Sequence, residues 1–413
     1  MKKYLAKVIT GCTIIVFAAL SGCSMIKTFK AINGANLVNG QEYSTRFEVV
    51  DNTIFIKVKI NNSNKEYNFI FDTGAINVID EKLADELGLK KISSADANDA
   101  SNISKKTYVV KVEQLAVGDI IEKDLGVVSL NLDFLSQVFG RHVDGIIGNN
   151  FVKFFTITMN FQDSTLAFSN HTEPINKIDN GYIIPFKQSI SNGYAPQIKC
   201  TLDNGYTIDA TIDCGYSSSI CIPERDIVKG GLLKSNPHIS SKGHMSAGAM
   251  GIDNKNGDND KDYLIRLQRF DIGSLHCSDL LVQSTSSDIC MIGTQLLSQF
   301  TTKINYPASQ LILIPVRQPI TFINNRNEIG LGAIKADNGN FKVIGIWETS
   351  QADSAGINIG DEIIELNNIK TSDLSNKAFS SILNNDNISL FNLRIKNNGI
   401  ERIVELKKQS LLK

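Results

Sequence analysis

Phe69-Ile70-Phe71-Asp72-Thr73-Gly74-Ala75-Ile76-Asn77-Val78-Ile79 decides the reading of this chain. An apolar run enters Asp-Thr-Gly and a second apolar run leaves it. That pattern predicts two strands joined by a tight turn that holds a carboxylate rigidly at the edge of a β core. Ile212-Asp213-Cys214-Gly215-Tyr216-Ser217, followed by Ile220-Cys221-Ile222, repeats it. Two such turns can bring two carboxylates together.

The flanking sequence repeats in the same order. Leu115-Ala116-Val117-Gly118 matches Phe270-Asp271-Ile272-Gly273, and Gly145-Ile146-Ile147-Gly148 matches Cys290-Met291-Ile292-Gly293. Phe155 to Phe161 aligns with Phe300 to Tyr306 without a gap, at a shift of 300 − 155 = 145. From Asp to the closing Gly the copies span 148 − 72 = 76 and 293 − 213 = 80 positions. A duplicated β-rich lobe is expected, with lobes at 41–175 and 176–320. In the first, Tyr43 to Val58 alternates as a strand, Asp80 is expected to cap a short helix closed by Gly88, and 93–104 reads as a loop or hairpin tip. In the second, Pro223 is expected to open a helix that ends at Gly230-Gly231.

These motifs resemble the bacterial retropepsin-like aspartic peptidases of the pepsin and retropepsin clan, over Val38 to Pro315. The resemblance implies a mainly β fold of two barrel lobes forming one cleft, with Asp72 and Asp213 as the catalytic pair. It implies loop support from Thr73, Gly74, Ala75, Cys214 and Gly215, and from Gly148 and Gly293 packed beneath the Asp loops. In the clan each lobe's Thr hydroxyl grips the opposite loop. Cys214 stands at one of those positions, and a thiol is a weak donor, so half of that grip is expected to be weak. Ala75 and Tyr216 stand where pepsin-like members place a Ser or Thr that donates to the outer carboxylate oxygen. The pair is therefore expected to titrate higher than in those relatives. Flaps are expected around Ala95 to Ser104 and Ser246 to Asp258. Asp144 and Asp288 read as structural.

Residues 324–409 differ in character. Gly330-Leu331-Gly332-Ala333, Ser350-Gln351-Ala352-Asp353-Ser354-Ala355-Gly356 and Gly360-Asp361-Glu362-Ile363-Ile364-Glu365-Leu366-Asn367 resemble a bacterial PDZ domain. That implies a sheet edge beside a helix near Ser375 to Leu383, which accepts an extended peptide as an added strand. The amides of Leu331, Gly332 and Ala333 would hold its carboxylate. Ala333 stands where the family usually has Phe.

At the N-terminus Lys2 and Lys3 precede an apolar run from Val8 to Leu20, too short for a comfortable membrane span. It ends in Leu20-Ser21-Gly22-Cys23, which resembles the lipobox of bacterial lipoproteins. The expectation is a signal peptide at 1–23 with Cys23 lipidated, a tether at 24–40, and an extracytoplasmic, membrane-anchored body. Cys200, Cys214, Cys221, Cys277 and Cys290 remain, without Cys-x-x-Cys spacing. They form no disulfide framework or zinc site; one bridge stays open, and buried apolar roles fit most of them.

The 413 residues carry a formal net charge of −1, which argues against a nucleic-acid partner. The five histidines have no metal spacing, and there is no Gly-x-Ser-x-Gly or P-loop. The combined expectation is a monomeric, tethered aspartic endopeptidase that acts on peptides or proteins without metal or cofactor. The rival is a non-catalytic peptide-binding lipoprotein with a degenerate cleft.

Overall fold

The structure, a computed structural model, describes residues 14–17, 31–32, 36–39, 42–99, 104–245 and 261–412. It is mainly β, with 49 % strand against 14 % helix.

In the first lobe, Thr53–Ile60 and Tyr67–Phe71 pair antiparallel, and nearly all their apolar side chains are buried. Gly145–Ile147 then slots between two strands. It runs parallel to Tyr67–Phe71, with Ile147 opposite Phe71, and antiparallel to Val78–Asp80. Such a strand is buried on both faces, which is why it reads as a bare apolar run without alternation. In the second lobe Cys290–Gly293 lies in the same way between Thr207–Asp213 and Ile220–Pro223. Each Asp therefore sits where two strands part around a third.

Local details depart from expectation. Residues 93–104 are largely strand: Lys90–Asp99 and Ser104–Val117 form a long hairpin with a register shift between Lys91 and Ser93. Cross-strand pairing orders small polar residues that carry no strand signal of their own. Asp80 occupies the N-cap position of Glu81–Glu86, but its carboxylate accepts from the Leu132 amide at 3.0 Å and makes no cap bond. Pro223 sits one place earlier than expected, at the N-cap of Glu224–Lys229. Helix Asp133–Phe139 was not anticipated. It buries Leu135, Val138 and Phe139, and it ends at Gly140 with φ +61°. Phe139 meets Phe55 edge to face at 5.1 Å.

The stretch expected to be a signal and tether is partly docked. Ile14–Phe17 pairs with the edge of Lys90–Asp99, and Asn36–Asn39 pairs with Ile120–Leu130. Ile32 is buried in a cluster with Ala75, Ile76, Val78 and Val128. An Ile flanked by small residues satisfies a hydrophobic site without any periodic pattern to announce it.

A six-stranded sheet joins the lobes, in the order Tyr182–Pro185, Gln310–Pro315, Phe300–Asn305, Thr156–Asn160, Thr165–Ser169, Tyr43–Arg46. Its central pair is antiparallel, with Thr156 opposite Asn305 and Thr158 opposite Lys303. Because 303 − 158 = 145 is also the repeat shift, a pseudo-two-fold axis passes through the Thr158–Lys303 pair. Three strands from each lobe meet across it.

Asn327 to Ser410 form a module with its own core, in which Phe341 stacks on Phe379 at 3.8 Å. Strand His238–Gly243 links it to the second lobe. One edge pairs with Tyr263–Ile265, and the other with Gly345–Trp347. All five described cysteines are buried and free, so the open question of a bridge resolves to apolar packing.

Candidate active site

The pseudo-two-fold axis brings the two Asp turns face to face. Asp72 and Asp213 are both 0 % exposed. Asp72 Oδ1 accepts from the Gly74 amide at 2.7 Å, and Asp213 Oδ1 accepts from the Tyr216 amide at 2.9 Å. Among the described residues Asp72 Oδ2 is buried with no donor besides the Asp213 carboxyl beside it. Burial first, and then the Asp213 carboxyl, push the Asp72 carboxyl well above the usual carboxylate range, against the pull of the Gly74 and Ala75 amides. Burial and the neighbouring carboxyl both oppose ionisation, which places the two carboxyls to share one proton. Burial leads the causes of this upward shift. Gly215 makes the approach possible: a Cβ there would lie 2.3 Å from Asp72 Oδ2.

Thr73 Oγ1 donates to the Ile212 carbonyl at 2.8 Å and accepts from the Cys214 amide at 3.0 Å. That half of the grip crosses the lobe boundary as expected. The Cys214 thiol instead meets Met159 Sδ at 3.4 Å, and its side chain belongs to the main hydrophobic core. The two halves are unequal because a thiol gains more from burial against sulfur than from a weak hydrogen bond.

Below each loop the support is duplicated. Asn149 donates from Nδ2 to the Thr73 carbonyl at 2.7 Å, and Thr294 donates from Oγ1 to the Cys214 carbonyl at 2.8 Å. The Asn149 amide bonds Ala75 O, and the Thr294 amide bonds Tyr216 O, both at 2.8 Å. Gly148 and Gly293 precede these residues. A Cβ on either would strike a carbonyl of the Asp loop, Ala75 O at 2.4 Å or Tyr216 O at 2.2 Å. Asn77 and Asn150 add a further link in the first lobe: Asn150 Oδ1 accepts from the Asn77 amide and Asn77 Oδ1 from the Gly148 amide.

Asn149, Asn150, Thr294 and Met159 were missed from sequence. The repeat held a signal, since 294 − 149 = 145 aligns two polar residues directly after the two Gly. Asp144 accepts from the Asn68 amide at 2.6 Å, and Asp288 pairs with Arg225 at 2.6 Å; neither approaches the Asp pair. Residues 246–260, which hold the whole of the second expected flap, and 100–103 from the first lie outside the described residues, as does Cys23.

Far from the Asp pair, Leu331, Gly332 and Ala333 line a small cavity of about 50 Å³ with Phe379 and Leu383. Strand Leu331–Lys335 pairs on one side with Phe341–Trp347, and helix Asn376–Leu383 supplies the opposite wall.

No curated protein matches this chain. Residues 56–151, which carry the Asp72 loop and the Gly148 element, match the family model of aspartyl proteases, so the first lobe is similar to the aspartyl proteases.

Proposed function

We propose that the chain is an aspartic endopeptidase with Asp72 and Asp213 as its two catalytic carboxyls. The observation that carries this is their juxtaposition across the pseudo-two-fold axis, with Asp72 Oδ2 otherwise without a donor. One carboxylate takes a proton from a water as its oxygen attacks the scissile carbonyl carbon. The other, protonated, gives its proton to the carbonyl oxygen. The tetrahedral intermediate then loses its C–N bond as a proton passes to the leaving nitrogen. The pair shares its titration, so neither role belongs to one residue alone. Both carboxyls are fully buried, so cleavage requires the chain above them to give way to the substrate.

The module at Asn327 to Ser410 acts in this reading as a PDZ domain. It takes an extended peptide between Leu331–Lys335 and helix Asn376–Leu383, with its carboxylate toward the amides of Leu331, Gly332 and Ala333. The protein acts as a monomer tethered through Cys23 outside the cytoplasm. Removal of residues 1–22 costs the fold one edge strand, Ile14–Phe17.

The test is incubation of the protein with a mixed peptide library, with and without a hydroxyl inhibitor that mimics the tetrahedral intermediate. Wild type is expected to cleave and the inhibitor to block it. Asp72→Asn and Asp213→Asn are each expected to lose activity by on the order of 10³-fold or more. Retention of most activity by Asp213→Asn would replace the intramolecular pair with dimerisation through Asp72.

A further inference from the structure

A cavity of about 400 Å³ lies behind the Asp213 loop, where the second lobe meets the linker and the C-terminal module. Its wall includes Tyr216, Leu281, Gln283 and Gln295 from the lobe, Arg326 from the linker and Asn384 from the module. That volume falls within the range of small-ligand sites.

Strand register shows what stands at the same place in the first lobe. Val78 pairs antiparallel with Ile146 and parallel with Val128, while Cys221 pairs antiparallel with Met291 and parallel with Gln283. Gln283 therefore corresponds to Val128, and Leu281 to Gly126 two residues earlier. Tyr216 corresponds to Ala75 through the matched amide bonds at Asn149 and Thr294. Gln295 corresponds to Asn150, since 295 − 150 = 145.

In the first lobe all four positions face one occupant, the chain's own Ala31–Ile32. The Ile32 side chain packs with Ala75 and Val128. The Ile32 carbonyl accepts from Asn150 Nδ2 at 3.0 Å. Gly126 abuts Ala31 so closely that a Cβ would lie 2.7 Å from its carbonyl carbon. Asn150 passes this contact to the Asp72 loop through its bond to the Asn77 amide. The internal segment thus offers an aliphatic side chain and a backbone carbonyl, and it braces the loop that follows the aspartate.

In the second lobe the linker takes part of this place, with the Leu281 amide donating to the Ile323 carbonyl at 2.7 Å, and the cavity left beside it has matching chemistry. Leu264, Leu281 and Ile220 give it apolar surface. Gln283 is only 8 % exposed; its Oε1 accepts from Arg326 at 3.1 Å, and its Nε2 is buried without an acceptor among the described residues. A buried amide donor with no acceptor is destabilising, and an incoming carbonyl would recover the missing bond.

We propose that this cavity is a peptide-binding site, distinct from the Asp pair and adjoining the module's strand-and-helix groove, with which it shares Arg326, Glu328 and Asn384. It takes a short segment carrying a branched aliphatic side chain, whose backbone carbonyl accepts from Gln283 Nε2. Its occupant braces the Asp213 loop as Ala31–Ile32 braces the Asp72 loop.

The probe is the N-acetylated, C-amidated peptide Lys-Ala-Ile-Asn-Gly, copied from residues 30–34. The readout on the full chain needs no cleavage. Trp347, the one tryptophan, is buried against Leu264 and Leu281 of the cavity wall. The peptide is expected to change its emission saturably and to slow amide exchange at 216–220 and 281–283. A peptide with Asp in place of Ile is expected to do neither. Gln283→Leu is expected to weaken binding about tenfold, the equivalent of one hydrogen bond. No saturable change with the Ile peptide, or unaltered affinity in a folded Gln283→Leu, overturns the proposal. Protection confined to 75–78 and 126–128 also overturns it, since the peptide would then be displacing Ala31–Ile32. The exchange map decides the matter even if Gln283→Leu does not fold.

Discussion

The two lobes share one plan but support their aspartates differently. The first holds its Asp loop with polar groups: Thr73 across the axis, Asn149 below, and Asn77 with Asn150 behind, the last anchored on Ile32. The second keeps Thr294 below but has a thiol packed on Met159 across the axis and a cavity behind. The groups that agree between lobes touch the backbone of the Asp loop itself: the two Gly of the central strands and the two side-chain donors that follow them. Of the groups that differ, Thr73 and Cys214 stand within the loops, and the rest, Asn77, Asn150 and the cavity, lie one layer further out. The duplication tolerates change there because the inner contacts already fix the carboxyls.

Gly215→Ala attacks the inner layer and is expected to have the largest effect. A Cβ 2.3 Å from Asp72 Oδ2 must displace one carboxyl. Misplacement on the scale of 1 Å costs on the order of 10² in rate. Peptide cleavage by a variant that still melts cooperatively measures this. Activity near that of wild type would mean that the carboxyls need not touch.

Glu122→Gln probes the first lobe's outer layer. Glu122 is fully buried on strand Ile120–Leu130, and neither of its oxygens meets a donor among the described residues. Burial pushes its carboxyl well above the usual range, with Lys153 opposing. The folded state therefore binds this proton more tightly than the unfolded state does. The stabilisation is present below the ordinary glutamate pKa and is lost as pH rises toward the folded value. Glu122→Gln is expected to be more stable than wild type by about 1 kcal/mol at pH 7 and to lose that advantage near pH 4. Thermal melts at the two pH values decide it; an equal difference at both would mean that burial does not raise the Glu122 carboxyl above its unfolded value.

Cys214→Thr sharpens the inequality of the two grips and should have the smallest effect. The hydroxyl gains a donor but gives up the Met159 contact, and the two changes offset within about 1 kcal/mol. A large fall in melting temperature would show that packing on Met159 dominates. A clear rise would show that the weak half of the grip limits stability.

Much of this was legible in the sequence because the determining residues repeat. Asp72 and Asp213, Gly148 and Gly293, and the ungapped match of 155–161 with 300–306 gave the lobes and the pairing of the turns, but not the sheet that joins the lobes. What escaped were groups whose role depends on tertiary partners. Asn149 and Thr294 are unlike residues making the same bond. Ser93 to Asp99 became strand through pairing with residues ahead of it in the chain. Ile32 sits in a stretch without period, and only the first lobe's surface gives it meaning. Helix Asp133–Phe139 did carry a pattern, Leu132, Leu135 and Phe139 followed by Gly140, at helical spacing.

The central claim is that Asp72 and Asp213 form one proton-sharing pair. Carbon-13 titration of the aspartate carboxyls, in wild type and in Asp213→Asn, tests it most directly and needs no substrate. Wild type is expected to show two coupled steps, one well above the ordinary aspartate range. In Asp213→Asn, Asp72 is expected to titrate in a single step at lower pH, because the neighbouring carboxyl that opposed its ionisation is gone while its burial remains. An Asp72 titration unchanged by Asp213→Asn would contradict the account.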